Sequence, residues 1–368
     1  MDTNHRHSKW QRRSRQFLYY ASFLLFMQPL TAQDIHFSQF YNTPLNLSPA
    51  KTGVFDGDQR LSAGYRSQWS SVPVPWRTFT AAYDKKLIGK NCYCGIPGEG
   101  IALKDLTCTN HSYFAGGILF NFDKASSLSD MTLSNINLTG SYNRYLSPRS
   151  LISFGAMIGY AGRGFDENTL TWDKQWNDSQ FFFDQSINST ENFDADRVNY
   201  FETALGVNYL WRKNNRTSLD IGVGVYHLTT PGVGFYNNDD ISLPARWTFS
   251  GVGTFQLAEK LDLQLHGLAQ FQMPYTEYII GGLGKLYLKD DCGKNIQLHL
   301  GLGYRTTKSL FPIIAVQYNN IYGAISYDLD LTDFGDGKDA RLNALELHFR
   351  YNISQPKRAL RVCPDDKL

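Results

Sequence analysis

A strict alternation of apolar and polar side chains recurs along most of this sequence, and it constrains the fold more than any other feature. Within 260–272, Leu263 and Leu265 fall on one side while Gln264 and His266 fall on the other. A period of two indicates β-strands whose two faces meet different surroundings. The clearest runs are 260–272, 295–305 and 345–352. Runs of roughly 9 to 13 residues suit tilted strands that cross a bilayer. The pattern predicts an all-β fold, a single antiparallel transmembrane β-barrel in the outer membrane with its apolar face toward lipid.

Turn-forming residues separate these runs and predict about fourteen strands. Short polar turns such as 212–216 and Asn319-Asn320 suit the periplasmic side, and long loops suit the outside. An even number of strands places both ends of the barrel domain, 59–352, on the periplasmic side. The predicted strands are 59–67, 78–86, 113–122, 133–146, 150–161, 200–211, 217–228, 246–257, 260–272, 276–288, 295–305, 311–319, 321–331 and 342–352.

The first 32 residues have the order of a signal peptide. A basic stretch that includes Arg12 and Arg13 precedes an apolar run over 17–30, and Ala32 precedes the predicted cleavage site. A membrane anchor is the alternative, but the apolar run is shorter than the ~20 residues of a spanning helix. We therefore expect export through the general secretory pathway to a Gram-negative outer membrane. Segments 33–58 and 353–368 should hang into the periplasm or enter the lumen.

Net charge and cysteine content limit the kinds of partner and cofactor that can be expected. A formal net charge of +2 and no basic stripe exclude nucleic acid as a predicted partner. Disulfides are permitted in an exported protein, and a metal site in the Cys-x-Cys loop is the alternative. The sequence leaves the pairing open, and no cofactor is predicted. The five cysteines are Cys92, Cys94, Cys108, Cys292 and Cys363.

Charged residues occupy the inward positions of several predicted strands. Interior charges must be hydrated or paired. One interpretation is a structural network that fixes the barrel shape and holds the N-terminal segment, and the other is a solute path, as in a porin. The candidate lumen network comprises Arg60, Asp84, Arg305, Asp328, Asp330, Glu346 and Arg350, and Arg66 has the same parity. Paired inward glycines, including Gly222 and Gly224, indicate room for coiling or for a plug.

An enzyme requires a nucleophile and a base within reach of each other. His266, His299 and His348 lie on the lumen side of their strands, where a lining or a hydrogen-bond network is expected. We found no phosphate loop and no metalloprotease motif. The sequence therefore predicts no enzymatic activity, no catalytic residue and no metal ligand.

The longest predicted loop, 162–199, is unusually aromatic. A loop of this length is commonly functional, and its aromatic density argues against disorder. It is interpreted as an external contact surface or an in-folded plug, with packing on its own barrel rim as the alternative. Its aromatic residues are Trp172, Trp176, Phe181, Phe182 and Phe183. Loop 88–112 should be periplasmic and suits docking of inner-lying machinery; the alternative is an error of one strand in the count, which would place this loop outside.

Several segments together resemble one family. Residues 33–50 read QDIHFSQFYNTPLNLSPA, residues 64–69 GYRSQW and residues 79–84 FTAAYD. Near the end come GLGYR at 301–305, ISYDLDLTDF at 325–334, ALELHFRYNI at 344–353 and RVCP at 361–364. This ordered set resembles the PorP/SprF family of type IX secretion system outer-membrane proteins of Bacteroidetes. Ser48-Pro49 stands where Asn-Pro is usual, and the Cys-x-Cys loop and the C-terminal DDKL depart from the family pattern.

The resemblance implies a non-enzymatic accessory role in the export or surface attachment of a secreted protein or adhesin, in some bacteria for gliding. Periplasmic components of the secretion system and outer-membrane lipid are the other implied partners. Exposed aromatic side chains are the usual anchors of protein interfaces. We therefore predict two partner-binding surfaces, one in the N-terminal segment with the outer end of the first strand, the other in the aromatic loop. The candidates are His36, Phe37, Gln39, Phe40, Tyr41, Arg66, Gln68, Trp69, Trp172, Trp176, Phe181, Phe182 and Phe183.

Overall fold

A computed structural model describes residues 34–69, 75–87, 112–125, 131–167, 170–178, 182–191, 193–236, 241–291, 294–331 and 343–354. Fourteen of its strands form one closed antiparallel barrel, and β6 and β7 form a separate two-stranded hairpin. The strands are β1 (Gln59–Gln68), β2 (Trp76–Leu87), β3 (Ser112–Ala125), β4 (Thr132–Ser147), β5 (Ser150–Gly164), β6 (Trp176–Asn177), β7 (Phe182–Phe183), β8 (Arg197–Asn214), β9 (Thr217–Tyr226), β10 (Arg246–Ala258), β11 (Leu261–Gln272), β12 (Tyr275–Asp291), β13 (Lys294–Arg305), β14 (Ser309–Tyr318), β15 (Ile321–Asp330) and β16 (Ala344–Ile353).

The barrel closes where β1 pairs with β16, from Gln59 opposite Ile353 to Gln68 opposite Ala344. Closure leaves no unpaired strand edge, so the backbone groups of the wall can satisfy one another within lipid. The predicted fold class and the predicted number of barrel strands are confirmed. β5 continues three residues beyond its predicted end and β8 begins three residues before its predicted start, which shortens the long connection to 165–196. β12 also continues three residues beyond its predicted end.

The two faces of the wall differ as the alternation predicts. Outward side chains such as Phe114, Ile158, Phe201 and Ile280 are large, apolar and exposed, as a lipid-facing surface requires. The inward side chains are mostly polar and buried. The three strand histidines, His266, His299 and His348, all point inward and are buried.

Tight turns are more numerous at one end of the barrel than at the other. One end carries the tight turns 148–149, 215–216, 259–260 and 319–320, together with the connection 88–111. The other end carries the long connections 165–196 and 227–245 and the short turns 273–274 and 306–308. Short turns belong on the periplasmic side of outer-membrane barrels, so we name these the inner end and the outer end.

Residues 34–58, the plug segment, run through the barrel from its outer end to its inner end. At the outer end the Asp34 carboxylate lies 2.9 Å from Arg246, the first residue of β10. At the inner end the Asp58 amide donates to the Ile353 carbonyl at 2.8 Å. Between them the segment forms three short 3-10 turns, Phe40–Asn42, Pro44–Asn46 and Pro49–Lys51. None of the described helices is long and apolar enough to cross a membrane.

Several predicted features lie in parts of the chain that the structure does not describe. The signal peptide, loop 88–111, Phe181, the five cysteines and the tail from 355 onward lie outside the described residues.

Candidate functional site

The plug segment has the local sequence of a compact, non-regular chain. Pro44 and Pro49 each begin a 3-10 turn, where their fixed φ is favourable and their missing N–H is not needed. The Ser48 hydroxyl accepts a hydrogen bond from the Ala50 amide at 3.3 Å and caps the third turn. These short turns shorten the segment and direct its side chains to all sides of the lumen.

Apolar side chains of the plug segment pack into two clusters with the wall. Phe40 packs with Ile279 and Phe311, and all three are almost completely buried. Leu45 packs in a second cluster that includes Leu119. Removing these side chains from water stabilises the inserted segment, since a fully buried large apolar side chain contributes about 1.5–3 kcal/mol.

A buried charge cluster holds the plug segment near the outer end. Arg66 on β1 pairs with Glu346 on β16 and lies 2.9 Å from Asp328 on β15. Glu346 also accepts hydrogen bonds from the main-chain amides of Ser38 at 2.6 Å and Gln39 at 3.0 Å. Glu346 therefore binds the plug backbone, while the two carboxylates and the guanidinium satisfy each other.

Arg305 extends this cluster across the lumen. Its guanidinium donates to Glu277 at 2.8 Å and to the Ser38 hydroxyl at 2.6 Å. Ser38 in turn donates to Asp328 at 2.6 Å. Glu277 was absent from the predicted network, although its inward parity on β12 identifies it.

A second cluster fixes the start of the plug segment. The Asp34 carboxylate lies 2.9 Å from both His227 and Arg246, and Glu202 lies 3.3 Å from His227. Burial alone would raise the pKa of the Asp34 carboxyl, but Arg246 and His227 outweigh it and hold that pKa well below its ordinary value. None of these four residues was predicted. Arg246 begins its strand at an inward position, but nothing in the sequence pairs it with Asp34.

Arg60 and Asp84 form a bidentate pair in the inner half of the lumen, with N–O distances of 2.9 and 2.8 Å. Asp84 also accepts from the Gly53 amide at 2.8 Å, and Arg60 donates to the Lys51 carbonyl at 3.1 Å. This pair was predicted as part of the lumen network, and the structure places it against the plug backbone. Lys51 forms its own ion pair with Asp220 at 2.7 Å.

Two wall glycines allow the plug backbone to approach the wall closely. A Cβ at Gly155 would overlap the main chain of Pro49 and Ala50. A Cβ at Gly224 would overlap the Leu47 carbonyl. These glycines leave space that the plug segment fills.

Two members of the predicted network stand apart from these clusters. Asp330 is half-buried at the outer end of β15. Arg350 lies over the ring of Tyr322, with 4.7 Å between the guanidinium carbon and the ring centroid.

The predicted partner-binding residues of the plug segment contact the barrel itself. Phe37 packs edge-on against His348 at 5.4 Å, and the Tyr41 ring lies 4.7 Å from His266. The Gln39 side chain donates to Ser326 at 2.9 Å, and the His36 ring nitrogen lies 3.1 Å from the Asp34 carbonyl. Together with buried Phe40, these side chains are occupied by intramolecular contacts. A partner reaches them only if the plug segment is displaced.

Of the predicted residues at the outer end of β1, one is buried in the lumen and two lie at the rim. Arg66 is buried in the charge cluster and donates to the Gln68 side chain at 3.0 Å. Trp69 leaves the strand with a φ of 60° and its amide donates to the Asn343 carbonyl at 2.8 Å. Gln68 and Trp69 therefore sit at the outer rim.

The aromatic loop contains a packed part and an exposed part. Phe193 is the centre of the packed part, and its ring contacts Phe165 at 4.8 Å, Tyr236 at 5.1 Å and Trp172 at 5.8 Å. Phe235, from connection 227–245, contacts Phe165 at 4.7 Å. Trp172 thus belongs to contacts between two connections of the outer end.

The exposed part is the β6–β7 hairpin. Trp176 and Phe183 are register partners, and their ring centroids lie 5.0 Å apart. Trp176, Phe182 and Phe183 are 39%, 46% and 43% exposed. We call these three residues the outer aromatic surface. Large aromatics exposed to water at a rim are typical of protein interfaces.

In the part of the chain that the structure describes, no cluster of three or more His, Cys, Asp or Glu could hold a metal ion. The predicted alternative of a metal in the Cys-x-Cys loop falls outside that part.

Comparison with solved structures finds other outer-membrane barrels. The toluene transporter TbuX of Ralstonia pickettii is 8% identical with a TM-score of 0.47, over 85% of this chain and 94% of TbuX. A FadL homologue of Pseudomonas aeruginosa is 12% identical with a TM-score of 0.44, over 83% of this chain and 92% of that protein. Similarity at this level carries no inference about transport. No curated protein sequence matches the chain at a significant level.

The family comparison is more specific. The model of the family described as "Type IX secretion system membrane protein PorP/SprF" matches residues 30–351, which include the plug segment and almost the whole barrel. The resemblance seen in the ordered motifs is thereby confirmed. The family and the barrel fold together point to the outer membrane. The chain belongs to the PorP/SprF family of type IX secretion system membrane proteins.

Proposed function

We propose that this protein is a non-enzymatic accessory component of type IX secretion in the outer membrane. In this role it supports the export or surface attachment of a partner secreted protein or adhesin, including an adhesin used in gliding. The observation that carries the proposal is the family match over 30–351. The protein is exported through the general secretory pathway, loses its signal peptide and reaches the outer membrane.

The filled lumen supports a role in binding rather than in solute passage. Phe40 and Leu45 pack in the barrel interior, and Glu346 binds the plug backbone at Ser38. Displacing the segment is costly because it exposes these apolar side chains and leaves Arg246 and Asp220 without the plug residues that pair with them.

The outer aromatic surface is the contact that we propose for the secreted partner. Trp176, Phe182 and Phe183 are exposed at the end that carries the long connections. Their rings offer large apolar area with few rotatable bonds, which favours binding. Periplasmic components of the secretion system would meet the inner end, where the predicted periplasmic loop begins after Leu87.

Deletion of the gene tests this proposal. Loss of one or more type IX substrates from the cell surface, with rescue by the wild-type gene, is the expected result. Normal surface abundance of every such substrate would contradict the proposal.

A solute channel is the second candidate, favoured by the charged lumen and by a cavity of about 230 Å³ beside the plug segment. A channel requires a continuous water-filled path. Planar-bilayer recordings of the wild-type protein distinguish the two, since a silent membrane argues against diffusion through the barrel.

A further inference from the structure

A cavity of about 230 Å³ lies between the plug segment and the inner half of the wall. Asn352, the penultimate residue of β16, and Ser218, the second residue of β9, both border it. Asp56 borders it from the plug segment, and its side chain is 64% exposed. These residues place the cavity beside the inner mouth of the barrel.

Four cationic side chains border this inner cavity, and three of them have a carboxylate partner. Lys51 pairs with Asp220 at 2.7 Å and Arg212 with Asp56 at 2.6 Å. The third, Arg60, pairs with Asp84 at 2.8 Å.

Arg350 is the fourth cation. Among the described residues, no carboxylate oxygen lies within 4.0 Å of the Arg350 guanidinium, which is the limit for an ion pair. The guanidinium instead faces the Tyr322 ring. A half-buried cation without a counter-ion is costly unless water or an anion reaches it. The cavity beside Arg350 offers room for either.

Gln264 adds a second unused donor to the same cavity. Its Nε2 atom is buried and has no hydrogen-bond partner among the described residues. A buried donor of this kind is costly unless a water or a ligand satisfies it. Leu47 and Val252 supply apolar surface on the same cavity wall.

We propose that the inner cavity is a binding site for a carboxylate attached to a small apolar group. Arg350 supplies the positive charge, since a guanidinium binds a carboxylate with two parallel hydrogen bonds. Gln264 supplies a further donor, and Leu47 and Val252 contact the apolar group. A cavity of ~150 Å³ can hold benzene, so this volume admits a ring or a branched side chain. A free organic acid and the C-terminal residue of a peptide share this chemistry. The site does not depend on the proposed secretion role.

Titration calorimetry on the full-length protein in detergent tests the proposal. The probes are benzoate with its neutral isostere benzamide, and a short peptide ending in phenylalanine as the free acid or as the amide. We expect at least one acid to bind saturably and its amide to bind about tenfold more weakly or not at all, because a charge-assisted hydrogen bond is lost. Benzoate binding identifies a free acid as the ligand type, and binding of the peptide acid alone identifies a chain end.

Arg350→Gln is the test variant, and Arg144→Gln is its matched control. Arg144 is an exposed arginine near the end of β4 on the outside of the wall at the same end of the barrel. Arg350→Gln should weaken acid binding about tenfold, and Arg144→Gln should leave it unchanged. If Arg350→Gln does not fold, the comparison of acid and amide on the wild-type protein remains decisive. Equal binding of acid and amide, or no saturable binding of any acid, would overturn the proposal.

Discussion

Arg66 and Glu346 lie directly opposite each other across the seam between β1 and β16, and they form a buried ion pair. The same Glu346 carboxylate accepts the Ser38 amide of the plug segment at 2.6 Å. One carboxylate therefore links the first strand, the last strand and the plug. Since this seam joins the first and last strands of the barrel, its pairing closes the longest loop in the chain.

Removing one partner of this pair should destabilise the barrel strongly. Arg66→Leu leaves two carboxylates, Glu346 and Asp328, without their shared cation. We expect a loss of about 3–5 kcal/mol in the free energy of unfolding, which is typical of a buried charge left unpaired. Urea unfolding of the folded protein in detergent measures it.

The double variant Arg66→Leu with Glu346→Leu serves as the control for this prediction. It removes both charges of the seam pair and should recover part of the lost stability. Equal stability of Arg66→Leu and the wild-type protein would show that the pair does not hold the seam.

Filling the space at Gly155 should displace the plug backbone around Pro49 and Ala50. Gly155→Val places a side chain where the plug backbone now lies, and overpacking of this kind costs about 1–3 kcal/mol. We expect single-channel conductance in planar bilayers from this variant and none from the wild-type protein. Gly140→Val is the control, because Gly140 has open space on the outward side of β4. Conductance in the wild-type protein equal to that of Gly155→Val would contradict the plugged lumen.

Acid should loosen the plug segment through His36. Burial lowers the pKa of His36 to about 4, with Arg305 and Arg66 acting in the same direction and Glu277 opposing them. An unfolded histidine titrates near 6.5, so between ~6.5 and ~4 the released segment binds a proton that the inserted segment does not. The stability of insertion therefore falls as the pH drops through this window.

Hydrogen–deuterium exchange of residues 34–46 at about pH 7.5 and about pH 5, corrected for intrinsic rates, measures this loss of stability. We expect greater opening at the lower pH and a flatter response in His36→Gln. The Asp34 carboxyl keeps its charge across this window because its pKa is held far below it. An identical pH response in the wild-type protein and in His36→Gln would rule out this histidine as the cause.

The outer aromatic surface should carry much of the partner affinity. Trp176→Ala with Phe183→Ala removes two exposed rings that pack against each other. A central aromatic anchor contributes about 2 kcal/mol or more, so loss of one ring weakens the affinity about thirtyfold, and loss of both should weaken it further and reduce recovery of the secreted partner. Phe114→Ala, which removes a ring from the lipid-facing side, is the control and should not change recovery. Unchanged recovery with the double variant would place the partner contact elsewhere.

The barrel wall could be predicted from the sequence because its two faces meet lipid and a polar lumen. Each strand repeats that contrast with a period of two, so the parity of Arg66, Asp328 and Glu346 indicated the inward face before any pairing was known. Strand ends were less certain, as at β12, because the residues that leave the bilayer no longer alternate.

The path of the plug segment could not be predicted in the same way. Its contacts join Ser38 to Glu346 and Asp34 to Arg246, which are more than 200 residues apart and follow no repeat. In a loop, the sequence alone does not distinguish aromatic residues that are exposed from those that are buried. Phe37 and Phe40 therefore looked as suitable for a partner as Trp176, although the first two are buried against the barrel.

Affinity purification of the tagged protein from native outer membranes, followed by mass spectrometry, tests the central claim most directly. We expect recovery of a secreted surface protein or of periplasmic type IX components with the wild-type protein, and a reduced yield of the secreted protein with the double variant Trp176→Ala and Phe183→Ala. Recovery of the barrel alone, in good yield and in mild detergent, would contradict the proposed role in type IX secretion.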